Sequence, residues 1–554
     1  MTEDQGPRTR DQGLMIKDKV TAAEILDNLL FRRQFLLGPT PFAPTPHWSC
    51  RSLRHGLTLS THPDLQVLSE SLGDLSVTLL GFAVDALNPV RTDAEVVHSL
   101  TEGASDIRTL IALTKSLAGR WAIIYQNRAG TYLFTDPCGF RSVFHYSDGE
   151  GFWCGSQPEI IRANHRLSWN TDARLLPFLA SQDFARLQSA WIGAQTIYEG
   201  CLHLMPNHYL DVGRREQVRF YPVQPISVRE PSAVVETAMM LLKNIFAGIT
   251  ARGDVLMALT AGWDTRLLLA ASRDVSARIQ YWASNLGVLP ADHREVRIPS
   301  LLAKRLDIGL QVRNPSSHIP GWFVSALSRN VTGARVLPAA SVVYADLIAG
   351  EERLTVGGEA GELCRNKWDP NCRLNFKTVT TPEIPRIAHG LTVSPFVLQE
   401  TEKWREAVSV MDDQLNEIIL FNWEQIWGNW GAQYRAERDM ANDEISPFNC
   451  RLWIETVLSS PRQTRCPPDF SFHRELIASM WPEALSVPIN PQPRPRVVTI
   501  DIAALRQRVR SYVPSPFLSL VRSQASRSSA HGRRRSDRGP GTTNRELRTK
   551  NQEP

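Results

Sequence analysis

The chain has 554 residues, more than one ordinary domain needs, which predicts two or three units. Hydrophobic residues make up 42% and charged residues 21%, so the composition excludes a fibrous or low-complexity chain. The net charge of +5 comes from residues 521–554, which carry +6, while the remainder carries −1. A neutral body argues against a nucleic-acid-binding protein, and we expect only weak contacts between the basic tail and polyanions.

The sequence predicts a cytoplasmic protein that does not cross a membrane. No stretch reaches the roughly 18 consecutive apolar residues of a membrane helix. Residues 1–20 are polar and lack the apolar core of a signal peptide. None of the eight cysteines belongs to a Cys-x-x-Cys pair, so we expect reduced thiols and no zinc site.

The first half of the chain predicts an α+β domain with a largely antiparallel sheet. A short helix at 23–30 comes first, and helical periodicity returns at 93–100 and 106–117. Between these stretches lie β-type runs, of which the clearest are 76–81, 121–125 and 131–134, the last two joined as a hairpin by 127–130.

Beyond Pro222 and Pro225 the pattern changes to strands that alternate with helices, which is typical of an α/β domain with a parallel sheet. The expected elements are a helix at 235–249, a strand at 255–259, a helix from 267, a strand at 279–283 and a helix at 295–306. Residues 394–485 are rich in Trp and mostly helical. We therefore predict a disordered leader (1–22), an α+β domain (23–225), an α/β domain with a helical C-terminal part (226–500) and a basic disordered tail (501–554).

The segment from Ala258 to Arg266 has the pattern of a phosphate site. An apolar strand ends in a loop of small and hydroxylated residues, and this loop runs directly into an apolar helix. Backbone N–H groups in such a loop, together with the start of the helix, can bind a phosphate. An aspartate in this place can hold a Mg²⁺ ion that bridges phosphate oxygens. Many α/β proteins have a polar turn here, so a purely structural loop stays open at this point.

This loop resembles the pyrophosphate loop of the asparagine synthetase family, Ser-Gly-Gly-x-Asp-Ser. The hydroxyls of Thr260 and Thr265, the second glycine Gly262 and the acidic residue Asp264 match the pattern, and Ala261 replaces the first glycine.

Two further segments resemble landmarks of that family. Residues 357–363 (Gly-Gly-Glu-Ala-Gly-Glu-Leu) resemble a glycine- and acid-rich turn that ends in Asp-Glu-Leu, with Gly361 where the family has a metal-binding aspartate. Residues 444–448 resemble the family's Val-x-x-Pro-Phe segment.

The first half resembles the glutaminase domain of the same family. Residues 119–124 match its Gly-x-Phe-Ala strand and residues 136–141 its Asp-x-x-Gly-x-Arg turn, so the resemblance covers roughly residues 30–490. It implies that residues 23–225 form a degenerate glutaminase-like domain with an N-terminal-nucleophile-like antiparallel sheet. A working glutaminase of the family needs a cysteine after the initiator Met, and this chain has Thr2 there. Cys50 is internal and lacks the free amine, so we expect no glutaminase activity.

The resemblance implies an AMP-forming amide ligase that uses ATP and Mg²⁺, similar in layout to β-lactam synthetases and lasso-peptide cyclases. A carboxylate would attack the α-phosphorus of ATP, and an amine would then displace AMP from the acyl-adenylate. The implied substrates are a small-molecule or peptide carboxylate and an amine, and the layout also allows a homodimer.

The resemblance also implies which residues bind these ligands. The implied nucleotide-binding residues are Thr260, Ala261, Gly262, Asp264, Thr265, Ser284, Asn285 and Gly358. Asp264 would hold Mg²⁺ together with Glu362 or Glu359. The family's late basic residue has no convincing counterpart among His473, Arg474, Arg494 and Arg496, so no catalytic residue is assigned.

Two alternatives remain open. Ala261, Gly361 and the missing late basic residue favour a nucleotide-binding or inactive pseudoenzyme that serves as a partner protein. Glutamine-hydrolysing asparagine synthesis is a further alternative, which the absent cysteine opposes.

Overall fold

Three β-sheets organise the part of the chain that the computed structural model describes, which is residues 22–316, 318–335, 339–408 and 410–491. The predictions for the leader, for Thr2, for Arg494 and Arg496, and for the basic tail lie outside these residues. The described fold is a mixed α/β architecture with two antiparallel sheets and one parallel sheet, as the sequence predicts in outline.

The N-terminal half contains the two antiparallel sheets. Its elements are α1 (Ala22–Leu29), β1 (Phe35–Gly38), β2 (Ser49–Ser52), β3 (Thr58–Thr61), β4 (Val67–Leu72), β5 (Leu75–Asp85), α2 (Asp93–Gly103), α3 (Ile107–Leu113), β6 (Leu117–Asn127), β7 (Gly130–Thr135), β8 (Phe144–Ser147), β9 (Phe152–Gly155), α4 (Pro158–Asn164), α5 (Leu175–Leu179), α6 (Gln182–Arg186), β10 (Leu202–His203), β11 (His208–Asp211) and β12 (Glu216–Arg219). The strand orders are β10-β8-β9-β1-β3-β2 and β12-β11-β7-β6-β5-β4.

The two antiparallel sheets pack face to face around one apolar layer. Leu37 of β1 and Leu59 of β3, from the first sheet, share a buried cluster with Leu80 of β5 and Ile124 of β6, from the second. Helix α2 covers the other face of the second sheet. The expected antiparallel sheet is therefore confirmed, but as two layers rather than one, because burial on both faces of β5 and β6 requires a cover on each side.

Local pairing explains which of the N-terminal expectations hold. The hairpin of β6 and β7 is confirmed, with Asn127 paired to Gly130 and the Asn127 Oδ1 accepting from the Ala129 and Gly130 N–H groups at 2.9 and 3.2 Å. The helix expected at 106–117 is confirmed over 107–116, where α3 continues directly into a 3₁₀ helix at Thr114–Ser116. Leu117 already begins β6, because its partner Asp85 extends the ladder that far.

The second half contains the parallel sheet and its helices. Its elements are α7 (Pro231–Ala251), β13 (Val255–Ala258), α8 (Trp263–Ala271), β14 (Ile279–Ser284), α9 (Arg294–Leu306), β15 (Leu310–Arg313), α10 (Gly321–Asn330), α11 (Ala339–Ile348), β16 (Thr355–Val356), α12 (Glu383–His389), α13 (Pro395–Glu406), α14 (Glu417–Phe421), a π-helix (Asn422–Gly431), α15 (Ala432–Arg438), β17 (Glu444–Ile445), α16 (Arg451–Leu458) and α17 (Ser471–Met480). The strand order is β15-β14-β13-β16-β17, and every neighbouring pair is parallel.

Helix α7 is long and apolar enough to cross a membrane, yet it behaves as a core helix. Within its most apolar window of 18 residues, 56% of the residues are buried in the fold. Val234, Leu241, Ile245 and Phe246 are fully buried in the largest apolar cluster, which also includes residues of α8, α16 and α17. Among the described helices it is the one that passes this length and hydropathy test.

The expectation that all cysteines are reduced thiols is wrong for one pair. Cys372 and Cys466 form a disulfide across a sequence separation of 94 residues. No local spacing in the sequence indicates this pair, because only the fold brings the two Cα atoms to 6.1 Å from each other. The other six cysteines are free, five of them buried and Cys50 exposed.

Candidate functional site

The predicted phosphate loop lies at the carboxyl edge of the parallel sheet. It joins β13, the central strand, to α8, and the glycine- and acid-rich turn follows the neighbouring strand β16. In chain order the strands lie 3-2-1-4-5, so the direction of winding reverses between β13 and β16. Ligands of open α/β sheets bind at such a switch point, outside the carboxyl ends of the strands.

The two turns are in direct contact. A Cβ atom built on Gly358 would lie 3.1 Å from the Asp264 Cβ and 3.3 Å from the Thr265 backbone nitrogen. Any larger residue at 358 would push the turns apart. Two segments that are about a hundred residues apart in the sequence therefore meet at one edge.

Ser284 and Asn285 lie at the same edge, on the other side of β13. Ser284 ends β14, and its Oγ accepts from the Leu286 N–H at 3.0 Å, while the Asn285 Oδ1 accepts from the Gly287 N–H at 2.9 Å. Both side chains are half-buried and shape their own turn. The structure thus brings them to the edge of the site, where their polar atoms support local backbone.

Hydroxyl groups fix the loop from within. The Thr260 N–H donates to the Thr265 Oγ1 at 3.1 Å, the two Oγ1 atoms lie 2.9 Å apart, and the Gly262 N–H donates to the Thr260 Oγ1 at 3.2 Å. Gly262 is the N-cap of α8, in an extended conformation, so the helix begins at Trp263 rather than at 267. Asp264 is therefore not the N-cap and is free for another role.

One backbone N–H group of this loop already donates a hydrogen bond to a carboxylate of the chain. The Ala261 N–H donates to Glu295 Oε2 at 3.1 Å, and Glu295 belongs to the first turn of α9. An N–H group in this position is what a bound phosphate would use. The side chain of Glu295 thus stands where an anionic ligand oxygen would accept.

Asp264 pairs with a guanidinium group. Its Oδ2 accepts from the Arg365 Nη2 at 2.6 Å, with 28% of the aspartate side chain and 9% of the arginine side chain exposed. Burial raises the pKa of Asp264, and the nearby Glu362 adds to this, whereas the charges of Arg365 and Lys367 lower it. The carboxylate is balanced by a cation that the chain itself supplies.

The second turn contributes Glu362, and its Gly361 packs so closely on the loop that it leaves no room for a side chain. A Cβ atom built on Gly361 would lie only 2.5 Å from Asp264 Oδ1, so no side chain fits between the turn and the loop. Glu362 accepts from the Lys367 ammonium, and its Oε1 accepts from the Asn422 Nδ2 at 3.1 Å. Burial works to raise the pKa of Glu362, but the Lys367 charge and these hydrogen bonds hold it below its usual value.

Glu359 turns away from the loop into a buried ion-pair network. It accepts from the Arg435 Nη2 at 2.9 Å, and Arg435 also pairs with Glu444, which in turn pairs with Arg438 at 3.1 Å. Burial, with Glu359 as a like-charged neighbour, raises the pKa of Glu444 to about 7. This network ties β16 and β17 to α15.

The three carboxylates predicted for Mg²⁺ do not make a magnesium site in this arrangement. Asp264, Glu362 and Glu359 each accept from a different cationic side chain. They are not among the groups of described residues whose ligand atoms lie within 4.8 Å of one another. Mg²⁺ prefers near-octahedral oxygen ligands, which an adjacent guanidinium or ammonium opposes. Magnesium binding stays a prediction, which ATP binding by Asp264→Asn with and without Mg²⁺ tests.

The late basic candidates within the described residues do not face the loop as donors. His473 is buried, with both ring nitrogens unpartnered, and burial lowers its pKa well below the usual value, so the ring is neutral. The Arg474 guanidinium lies 5.2 Å from the centroid of the Trp263 ring. Arg266 is buried and donates from Nη1 to the Ala484 and Val487 carbonyls at 2.7 and 2.8 Å, which docks the C-terminal segment on α8.

Three residues that shape the site were not identified from the sequence. Arg365 and Lys367 supply its cations and Glu295 its internal anion. Arg365 could have been suspected, because it follows Gly361 by four residues on the same turn. Nothing in the sequence indicates Glu295, since its contact with the loop depends on how α9 packs against it. No protein-family model and no curated protein matches this sequence.

Proposed function

We propose that this chain is an ATP-dependent, AMP-forming amide ligase of the asparagine-synthetase type, without glutaminase activity of its own. One observation supports this above all others: the loop 260–265 and the turn 357–363 meet at the switch point of the parallel sheet. On this proposal the N-terminal half is a degenerate glutaminase-like domain, and the protein works in the cytoplasm.

The chain's own groups would position the nucleotide. Thr260, Gly262 and Thr265 would hold the pyrophosphate beside the start of α8, where first-turn N–H groups lack intrahelical partners. Ser284 and Asn285 would lie toward the adenosine. Catalysis of this kind is mostly positioning and charge stabilisation.

Arg365 and Lys367 are the cations whose charges act on the Asp264 carboxylate. In the proposed reaction they would balance charge on the departing pyrophosphate after a carboxylate oxygen attacks the α-phosphorus. The amine nitrogen then attacks the acyl carbon, the bond to AMP breaks, AMP leaves with the electron pair, and the nitrogen gives up one proton to water. Glu295 would have to release the Ala261 N–H for the phosphate to enter.

A second candidate function is a pseudoenzyme that has kept the fold of the site. The observation that favours it is the internal pairing, with Glu295 on the loop N–H and a cation on each predicted metal ligand. A self-neutralised site offers little net attraction to a polyanion. Such a protein would act through its surface as a partner of other molecules.

Calorimetry separates the two candidates. The proposal expects ATP to bind, and Asp264→Asn to weaken binding measured with Mg²⁺ by at least tenfold while changing metal-free binding much less. Asp274→Asn is the matched control, because Asp274 is an exposed carboxylate paired with Lys243 at 2.8 Å, away from the loop. Absence of ATP binding under both conditions would favour the pseudoenzyme.

A further inference from the structure

Two sulfur atoms and a carboxylate lie together on the segment that follows the acid-rich turn. Asp369 and Cys372 belong to this segment, and the disulfide joins Cys372 to Cys466. One carboxylate oxygen of Asp369 and the two Sγ atoms all lie within 4.8 Å of one another. Thiolates and carboxylates are among the groups that bind Zn²⁺ in proteins. The cluster is therefore composed of metal-ligating atoms, and none of its residues is a predicted nucleotide ligand.

The Asp369 carboxylate is oriented by its own hydrogen bonds. Its Oδ1 accepts from the Leu374 N–H at 2.7 Å, and its Oδ2 pairs with the Arg462 guanidinium. Arg462 is itself fixed, because the same Nη2 donates to the Leu374 carbonyl at 2.7 Å. Carboxylates that bind metal ions are oriented by hydrogen bonds of this kind, and Oδ1 keeps a second lone pair for a ligand bond.

Asn366 adds a buried amide to the cluster. Its Nδ2 lies 3.5 Å from both the Asp369 Oδ2 and the Cys466 Sγ, which is long for a hydrogen bond to oxygen. The Oδ1 of the same amide has no hydrogen-bond partner among the described residues. A half-turn of the amide exchanges the two atoms and directs Oδ1 at the sulfur and the carboxylate. These acceptors repel an oxygen unless a cation lies between them.

The spacing of the cluster fits the ligands of a tetrahedral Zn²⁺ ion. Zn–S bonds of about 2.3 Å and Zn–O bonds of about 2.0 Å place tetrahedral ligand atoms about 3.3–3.8 Å apart. The Asn366 amide already lies 3.5 Å from its two neighbours. Only the two sulfur atoms are too close, because they are bonded to each other. After reduction, rotation about the Cα–Cβ bond of Cys372 can separate them while the Cα atoms stay 6.1 Å apart.

Charge and access also favour a divalent cation at this cluster. Two thiolates and the Asp369 carboxylate carry three negative charges and the paired Arg462 one positive charge, so Zn²⁺ brings the group to zero. The carboxylates beside the nucleotide loop differ, because each is neutralised by a cation of the chain. Cys372 is half-buried between the exposed Asn371 and Arg373. The cluster therefore borders solvent, from which a reductant and a metal ion can approach.

We propose that reduction of the disulfide creates a Zn²⁺ site formed by the Cys372 and Cys466 thiolates, the Asp369 carboxylate and the Asn366 amide oxygen. Local cysteine spacing, which predicts no zinc site, does not bear on a pair 94 residues apart. In the proposed cytoplasmic location, glutathione and thioredoxin supply the reductant. Zn²⁺ then replaces the proton of each thiol, so two protons are released per ion. The site does not depend on the nucleotide chemistry proposed above.

Co²⁺ is the probe, because it adopts the tetrahedral geometry of Zn²⁺ and shows a sulfur-to-metal charge-transfer band in the near ultraviolet. The full chain is first reduced with a phosphine: the S–S bond breaks, water supplies two protons to the sulfur atoms, and its oxygen converts the phosphine to its oxide. After removal of the phosphine without air, we expect a saturable band at one Co²⁺ per chain that Zn²⁺ abolishes. The oxidised chain should show no band.

A metal ion bound elsewhere is distinguished by the same band. Asp148, Glu150 and His165 are the other group of described residues with ligand atoms this close together, and it contains no thiolate. Co²⁺ at that group therefore gives no sulfur-to-metal band.

Substitutions test the ligands one by one. Cys372→Ser should weaken Zn²⁺ binding by the reduced chain at least a hundredfold and Asp369→Asn at least tenfold, since each removes a charged ligand. Cys50→Ser is the matched control, because Cys50 is an exposed free thiol, and its binding should not change.

If neither site variant folds, alkylation of the reduced, unaltered chain decides. Zn²⁺ should protect Cys372 and Cys466 from iodoacetamide and leave Cys50 reactive, which peptide mapping measures. Three results would overturn the proposal: no thiolate band after reduction, equal Zn²⁺ binding by Cys372→Ser and the unaltered chain, or alkylation of Cys372 and Cys466 that Zn²⁺ does not slow.

Discussion

The Asp264 carboxylate accepts a hydrogen bond from the Arg365 guanidinium at 2.6 Å, across a sequence separation of 101 residues. This pair links the loop after β13 to the turn after β16, and it supplies from within the chain the positive charge that the aspartate needs. The same contact has two consequences. It stabilises the meeting of the two turns, and it competes with any cation that approaches Asp264 from outside.

Removing the guanidinium should therefore destabilise the fold at this edge. In Arg365→Gln, Asp264 keeps its charge and loses its partner, and we expect a loss of about 1–3 kcal/mol, the cost of an unsatisfied, partly buried group. Adding Asp264→Asn should restore part of that loss, because the uncompensated charge is then gone. Urea unfolding of the single and double variants measures the coupling.

The matched control is Arg353→Gln. Arg353 pairs with Glu351 at 2.7 Å, but 38% of its side chain is exposed, so the loss should stay below about 1 kcal/mol. Equal losses in the two single variants, or strictly additive effects at positions 264 and 365, would show that the Asp264–Arg365 pair contributes nothing specific.

Ammonia release from glutamine is the second test, and it concerns the N-terminal half. Because Thr2 replaces the cysteine of the glutaminase pattern, we expect no glutamate above a boiled control. Glutamate production that disappears in Thr2→Ala would contradict this. Production that disappears in Cys50→Ser instead would identify a different nucleophile.

Reduction of the disulfide should loosen the segment that carries Arg365 and Lys367. Cys372 lies at the end of this segment, and Asn366 and Asn371 donate from their N–H groups to the Arg465 and Pro467 carbonyls at 2.9 and 3.0 Å. A dithiol supplies two electrons and two protons, the S–S bond breaks, and the dithiol becomes a cyclic disulfide. A crosslink that closes a loop of this length contributes about 2–5 kcal/mol.

We therefore expect the double variant Cys372→Ser/Cys466→Ser to melt at a lower temperature and to be cut faster by trypsin at the exposed Arg373 and Lys377. Cys50→Ser is the control, since Cys50 is exposed and free. Peptide mapping without reductant checks the bond itself. Unchanged melting and cleavage in the double variant would mean that the two backbone contacts hold the segment without the disulfide.

Periodicity and turn chemistry are enough to predict the mixed α/β layout and several of its elements. The hairpin of β6 and β7, helix α7 and strand β14 come from local patterns, because each buries its own apolar residues in a regular repeat. The sequence places the start of α8 four residues too late, because the continuous apolar run begins only at Leu267, whereas Gly262 caps the helix and Trp263 is already its first residue. The two-layer packing of the antiparallel sheets depends on which strands pair with one another across the chain. Local sequence patterns do not contain this information.

The hydrogen bonds within the loop of the site can be predicted from the sequence, whereas the partners of its charged side chains cannot. Thr260, Gly262 and Thr265 lie within one six-residue segment, 260–265, so their hydrogen bonds follow from the loop sequence itself. The partners of Asp264 and Ala261 come from distant segments, Arg365 and Glu295, whose approach is decided by packing. Long-range ion pairs of this kind are the part that a single sequence does not specify.

Acid should destabilise the fold through His203. Burial lowers its pKa in the folded chain to about 4, below the usual 6.5, so between these values the unfolded chain binds the proton and the folded chain does not. The contribution of His203 is complete above 6.5 and is lost as the pH falls toward 4. One such group gives a slope of about 1.4 kcal/mol per pH unit in this window.

The variant His203→Gln removes this titration and keeps an amide that can bond to Asn429. Urea unfolding across the window should show its free energy of unfolding falling less steeply than that of the unaltered chain, by about 1.4 kcal/mol per pH unit. His98→Gln is the control: hydrogen bonding to Glu70 raises the pKa of His98, so both states are already protonated below 6.5 and the slope there should not change. Parallel curves for His203→Gln and the unaltered chain would mean that the buried imidazole takes up its proton at the same pH in the folded and the unfolded chain.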